Sequence, residues 1–150
     1  MSATIRPAGM DDRPAIEAIV ESAYAHYVPR IGRRPAPMDA DYAAFIGQGR
    51  THVLAGSGGL LGVVVLIPEE AAMLLEVIAV RPDVKGQGFG RMLLEFAETT
   101  ARGAGYAVIR LYTNAAMVEN IALYSGIGYV ETHRAGEKGF LRVFMTKALT

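Results

Sequence analysis

The sequence predicts an α/β (α+β) domain in which a mixed β-sheet is flanked by helices. Three observations lead there. Apolar residues recur at helical spacing in some segments and gather in β-branched runs in others; the order of these segments, β-α-α-β-β-β-α-β-α-β-β, is neither a regular βαβ alternation nor a meander; and glycine or proline punctuates the junctions. The 150 residues fit one domain spanning 1–150, long enough to bury a core without disulfides or metals.

Thr4 to Pro7 reads as a short first strand. In "DDRPAIEAIVESAYAHYV", Ile16, Ile19, Val20, Ala23, Tyr24 and Tyr27 share a helical face; Asp11 or Asp12 can cap this helix, and Pro14 suits its first turn. "PRIGRRPAP" breaks it, and "MDADYAAFIGQG" suggests a shorter helix ending at Gly47 or Gly49. "THVLAG" and "GLLGVVVLIP" form two strands joined through Ser57-Gly58-Gly59, and "MLLEVIAVRP" a third, closed by Pro82. Phe89, Met92, Leu93, Phe96, Ala97, Thr100 and Ala101 then make one helical stripe, opposite Arg91, Glu95, Glu98 and Arg102, until "GAG" stops it. "AVIRLYT" is an inner strand, the segment from about Met117 to Tyr124 a helix ending at Gly126 and Gly128, and "YVETH" and "FLRVFMTKAL" two final strands.

Composition removes several function classes. Fifteen Lys and Arg balance fifteen Asp and Glu, so the chain lacks the field of a nucleic-acid binder. With no cysteine it has no disulfide framework, no thiolate metal site and no cysteine nucleophile. His26, His52 and His133 show no metal-ligand spacing, so no metal is expected. The longest apolar run, "LLGVVVLI", stops at Pro68, far short of the roughly 20 residues of a membrane span, and the first residues lack the pattern of a signal peptide; a soluble cytoplasmic protein is expected. A hydrophobic content of 51% is consistent with self-association as a homodimer.

The most informative stretch is "VKGQGFGRMLLEF", where Gly86, Gly88 and Gly90 run into an amphipathic helix. A helix start leaves backbone N–H groups without partners and carries partial positive charge, so an anion there is held by several donors, provided no side chains block its approach. No Gly-Lys-Ser/Thr follows, and position 91, where a dinucleotide fingerprint wants its third glycine, is Arg; a nucleotide triphosphatase or nicotinamide enzyme is not indicated. An ordinary tight strand-to-helix connection is the plainer reading of the glycines alone.

"VIAVRPDVKGQGFGRMLL" resembles the signature of the GCN5-related N-acetyltransferases (GNAT), Arg/Gln-x-x-Gly-x-Gly/Ala after a strand, with Lys85, Gly88 and Gly90 at the matching positions. "TIRPAGMDDRPAIEAI" looks like that family's opening strand and helix, and "ENIALYSGIGY" like its second motif, so the resemblance covers essentially the whole chain. It implies the single-domain acyl-CoA N-acyltransferase fold with a mostly antiparallel sheet, and acetyl-CoA as co-substrate. It further implies that amides of Gly86, Gln87, Gly88, Phe89, Gly90 and Arg91 hold the pyrophosphate, with charge added by Lys85 and Arg91. Lys85 stands where relatives have Arg or Gln, and offers a point charge without the guanidinium fork.

The resemblance assigns further roles. The backbone of Ile78, Ala79 and Val80 would pair with the pantetheine arm. Tyr124 would protonate the leaving thiolate, although its place on a face with Met117 and Ile121 also suits a core aromatic. Glu76, a carboxylate amid "LLEVIAV", is the candidate base for the acceptor amine, or else half of a salt bridge. Asn114 and Asn120 are rivals for a contact to the cofactor, against a cap or surface role for each. The acceptor cleft of that family is lined by the segment holding Tyr27, Arg30, Arg33 and Arg34, which would favour a small amine bearing an anionic group, or a peptide, as partner. The alternative is an acyl-CoA-binding sensor without catalysis.

Overall fold

The computed structural model describes residues 3–149. The strands are β1 (Ala3–Pro7), β2 (Thr51–Gly56), β3 (Gly59–Pro68), β4 (Met73–Val80), β5 (Val108–Asn114), β6 (Val130–Glu137) and β7 (Phe140–Ala148). The helices are α1 (Arg13–Tyr24), α2 (Tyr27–Ile31), α3 (Tyr42–Gly47), α4 (Phe89–Gly103) and α5 (Val118–Gly126). Hydrogen bonding orders the seven strands β1-β2-β3-β4-β5-β7-β6. Among the pairings with a described register, β1–β2, β2–β3, β5–β7 and β6–β7 are antiparallel and β4–β5 is parallel, so the sheet is mixed and mostly antiparallel as expected.

The chain divides into two compact units. The first comprises residues up to Leu66 together with Val77–Ala97. In it Val63, Val64 and Val65, consecutive on β3, are all fully buried, so both faces of that strand are covered. Ile16, Ile19 and Val20 bury the predicted stripe of α1. That helix is shorter than expected: it ends at Tyr24, and Tyr27 opens the separate helix α2. Pro29 explains the correction. In one continuous helix it would leave the Ala25 carbonyl without a donor, whereas as the third residue of a new helix it costs no hydrogen bond. Gly32, at φ 87°, closes α2 with its N–H donating to the Val28 carbonyl at 2.8 Å. The helix expected from "MDADYAAFIGQG" begins only at Tyr42, where the Asp41 carboxylate accepts from the Ala44 N–H at 3.0 Å and caps it.

The second unit comprises Ile67–Glu76 and the residues from Glu98 onward. β5 alternates as the pattern "VIRLYTN" requires, with Ile109, Leu111 and Thr113 buried and Arg110, Tyr112 and Asn114 half-buried on the other face. β7 matches it with buried Val143 and Met145. β6 is a mostly exposed edge whose Glu131, Arg134 and Glu137 discourage further strand pairing. Its turn to β7 uses Lys138 and Gly139 at φ 52° and 83°, the positive pair that matches the twist of a two-residue hairpin. Glu98 departs from its expected solvent-facing position. It is buried, with its carboxylate 3.0 Å from the Lys147 ammonium and 3.5 Å from Arg102. A carboxylate leaves water at such a position only with counter-charges in reach.

Candidate functional site

In the first unit, β4 ends at Val80 and Pro82–Val84 form a single 3₁₀ turn before the glycines. Gly86 and Gly88 sit at φ 87° and 88°, where any other residue is strained. The Gly88 carbonyl accepts from the Met92 N–H at 3.1 Å, which makes Gly88 the residue flanking α4. The N–H groups of Phe89, Gly90 and Arg91 therefore precede the helical ladder, and Gly88 has no side chain to cap them. Gly90 is different from the other two. It has no positive φ, and among the described residues a Cβ there would meet only the Val80 Cγ2 at 3.8 Å, ordinary contact, so none of them requires glycine at this position. Arg91 is exposed and 3.3 Å from Glu95 one helical turn on.

The three expected pantetheine partners do not behave alike. The Arg81 N–H donates to the Leu61 carbonyl on β3 at 2.8 Å, and the Ala79 carbonyl faces Gly62, where it would stand 3.0 Å from an added Cβ. Backbone groups alternate sides along a strand, so Ala79 is committed to β3 while Ile78 and Val80 turn theirs away from it. The Ile78 carbonyl is met there by the Tyr24 hydroxyl, which donates to it at 3.2 Å. Tyr24 was legible only as part of the α1 stripe, because a helical period does not reveal which backbone a side chain reaches.

In the second unit, β4 pairs with β5 from Met73↔Ile109 to Leu75↔Leu111. Glu76 and Tyr112 are the next residues, and the Tyr112 hydroxyl donates to Glu76 Oε1 at 2.7 Å. Burial first, then the hydrogen bond to Glu76 and the charge of that carboxylate, push the Tyr112 phenol well above its ordinary range. The Arg142 guanidinium lies over the Tyr112 ring, 4.5 Å from its centroid, and pairs with Glu137 at 3.2 Å. Sequence reasoning missed Tyr112 and Arg142, since the alternation of one strand says nothing about its neighbour's register.

Tyr124, on α5, is buried with its ring edge-on to Tyr129 at 5.9 Å between centroids. Asn114 Oδ1 accepts from the Ala116 N–H at 2.9 Å, so this side chain shapes the turn after β5. Asn120 Nδ2 approaches the Met117 sulfur at 3.7 Å. The basic segment makes ion pairs and ring contacts of its own. Arg34 binds Glu21 through both Nη atoms at 3.0 Å and Asp39 at 3.0 Å, and the Arg30 guanidinium lies 5.2 Å from the centroid of the buried Tyr27 ring. A guanidinium facing two carboxylates has its charge balanced locally, so an anion would gain less from Arg34 than from an arginine without such partners. Among the described residues, no group of three or more His, Asp or Glu side chains could hold a metal ion, and no helix is long and apolar enough to cross a membrane.

Comparisons with known proteins agree with one another. A family model described as an acetyltransferase (GNAT) domain matches residues 47–131, more than half of the chain. Mycothiol acetyltransferase of Jonesia denitrificans is 36% identical over 67 residues, 45% of this chain, and the match covers only 21% of the length of that protein. Among solved structures, the ribosomal-protein-S18-alanine N-acetyltransferase from Escherichia coli superposes with a TM-score of 0.79 at 24% identity, covering 99% of this chain and 95% of that one. The PaiA N-acetyltransferase from Thermoplasma acidophilum, solved in complex with coenzyme A, superposes with a TM-score of 0.82 at 16% identity, covering 99% of both. At these identities the structural likeness is one of fold.

Proposed function

The chain belongs to the GNAT acetyltransferase family, and from that premise we propose that it transfers the acetyl group of acetyl-CoA to a primary amine, by direct attack in a ternary complex. The amine nitrogen attacks the thioester carbonyl, the C–S bond breaks, and the products are an N-acetyl amide and coenzyme A. Glu76 takes the proton that the attacking amine must lose, directly or through water, and Tyr124 returns one to the departing thiolate. A phenol with an ordinary pKa of about 10 can protonate a thiolate whose acid has a pKa of about 8.5. The N–H groups of Phe89, Gly90 and Arg91 bind the pyrophosphate, and the backbone of Ile78 and Val80, turned away from β3, pairs with the pantetheine arm once the Tyr24 hydroxyl gives way. The reaction would run in the cytoplasm, since a chain without cysteine needs no oxidising compartment.

The observation that carries this reading is Gly90. Gly86 and Gly88 are explained by their backbone angles, but Gly90 has room for a side chain and no conformational need to lack one. What remains is close approach by a ligand. Gly90→Ala, in the first turn of a helix, is therefore expected to leave the melting temperature unchanged or slightly raised, while weakening acetyl-CoA binding about tenfold or more. Isothermal calorimetry with acetyl-CoA on both proteins decides it; equal affinities would remove the phosphate cradle.

A further inference from the structure

We propose that Tyr112 is a positioning residue for the acceptor amine: its hydroxyl holds Glu76 Oε1 so that Oε2 is presented to the amine, and Arg142 holds the Tyr112 ring in place. This rests on the acetyl-transfer reading above and adds to it a residue that no motif marked. Several carboxylates elsewhere in the chain are paired with arginine, as in Asp12 with Arg6, Glu21 with Arg34, Glu69 with Arg110, Asp83 with Arg81 and Glu131 with Arg134. Glu76 is held by a phenol, and among the described residues Tyr112 is its hydrogen-bonding partner. The difference is electrostatic. A guanidinium in direct contact would neutralise the carboxylate, whereas a phenol orients it without a counter-charge of its own; Arg110, which feels the Glu76 charge, is itself paired with Glu69, so Glu76 keeps negative charge to attract an ammonium.

The donor is also built not to change state. A carboxylate only accepts, so the phenol must keep its proton for the contact to exist. The environment that raises the phenol's ionisation keeps that proton in place across the range of any assay. The ring is fixed by Arg142 over one face and by Phe144, its partner across the β5–β7 ladder, at 5.7 Å between centroids. Arg142 is in turn nearly buried, anchored on Glu137 at 3.2 Å and near the Phe140 ring at 5.9 Å. Packing alone does not ask for this arrangement. Desolvating a guanidinium and a phenol to fill space costs more than an apolar side chain of the same volume would.

The test uses Tyr112→Phe, which keeps the ring and its contact with Arg142 and removes only the hydroxyl, together with Glu76→Gln and the double variant. Each is measured for acetyl-CoA affinity by calorimetry, and for kcat and KM with an amine chosen by screening amino acids, amino sugars, polyamines and peptides for released CoA thiol. Tyr112→Phe is expected to lower kcat/KM for the amine about tenfold with acetyl-CoA affinity unchanged, and the double variant to be no worse than Glu76→Gln. A purely structural Tyr112 would leave kcat/KM at its wild-type value, or its loss would multiply with that of Glu76→Gln. Either result overturns the proposal, as does a Glu76→Gln variant with full activity. A wild-type protein that binds acetyl-CoA yet releases thiol with none of the amines overturns the acetyl-transfer reading instead, and the role of Tyr112 with it.

Discussion

Tyr124 and Tyr129 face each other with ring centroids 5.9 Å apart. The Tyr129 hydroxyl is buried with no hydrogen-bond partner among the described residues, and burial, then the charge of Glu98 and the neighbouring Tyr124, push it well above its ordinary range. A proton held that tightly is a poor donor to a thiolate, so Tyr129 does not compete for the acid role proposed above for Tyr124. Tyr124→Phe is expected to lower kcat about 100-fold while changing acetyl-CoA affinity little, read by thiol release and calorimetry. Equal losses in both, or none, would remove Tyr124 from that role. Individual residues were legible in the sequence where their chemistry contradicted their surroundings. Glu76 stood out as a carboxylate in an apolar strand, whereas Gly90 was set apart from Gly86 and Gly88 only by its backbone angle and the space around it. Tyr112 did not stand out, because a tyrosine in a β-run is unremarkable until its neighbour across the ladder is known.

Elements show the same division between local and distant causes. The strand-to-helix turn follows from glycine's backbone freedom, and α4 follows from its stripe. The glycine at position 62 follows from neither. A Cβ there would stand 2.9 Å from Leu93 Cδ1 and 3.0 Å from the Ala79 carbonyl, so β3, β4 and α4 come together only because that side chain is missing. Gly62→Ala is expected to destabilise the fold by about 1–3 kcal/mol through overpacking, seen as a lower denaturant midpoint. An unchanged midpoint would mean that Leu93 and β4 yield freely. Gly62 and Gly90 thus predict opposite outcomes for the same substitution: lost stability at one, lost affinity at the other.

Across the whole molecule the formal charges cancel, so individual ion pairs set how stability varies with pH. Arg110 binds both oxygens of Glu69, at 2.6 and 3.0 Å, and the Tyr106 hydroxyl donates to the Glu69 carbonyl at 2.6 Å, pinning the segment before β4. The hydrogen bonds from Arg110 hold the Glu69 carboxyl below its ordinary range. A lowered folded-state value contributes stability above the unfolded value, about pH 4.3, and loses it as pH falls through the folded value. Arg110→Gln is therefore expected to melt roughly 2 °C below the wild type at pH 7, with the gap closing in thermal scans as pH falls below the ordinary carboxylate range and through the lowered folded value. A gap independent of pH would assign the effect to packing. By itself the sequence determined the element types and their order apart from the separate helix α2, the glycine-rich turn that opens α4, and the family, because periodicity, backbone freedom and motif spacing are local properties of the chain. Only the tertiary structure decided that Tyr112 and not a basic side chain holds Glu76, that Arg34 is spent on Glu21 and Asp39, and that Ala79 faces β3. Each depends on strand register or on two segments far apart in sequence meeting, and no local pattern encodes which partner a side chain will find.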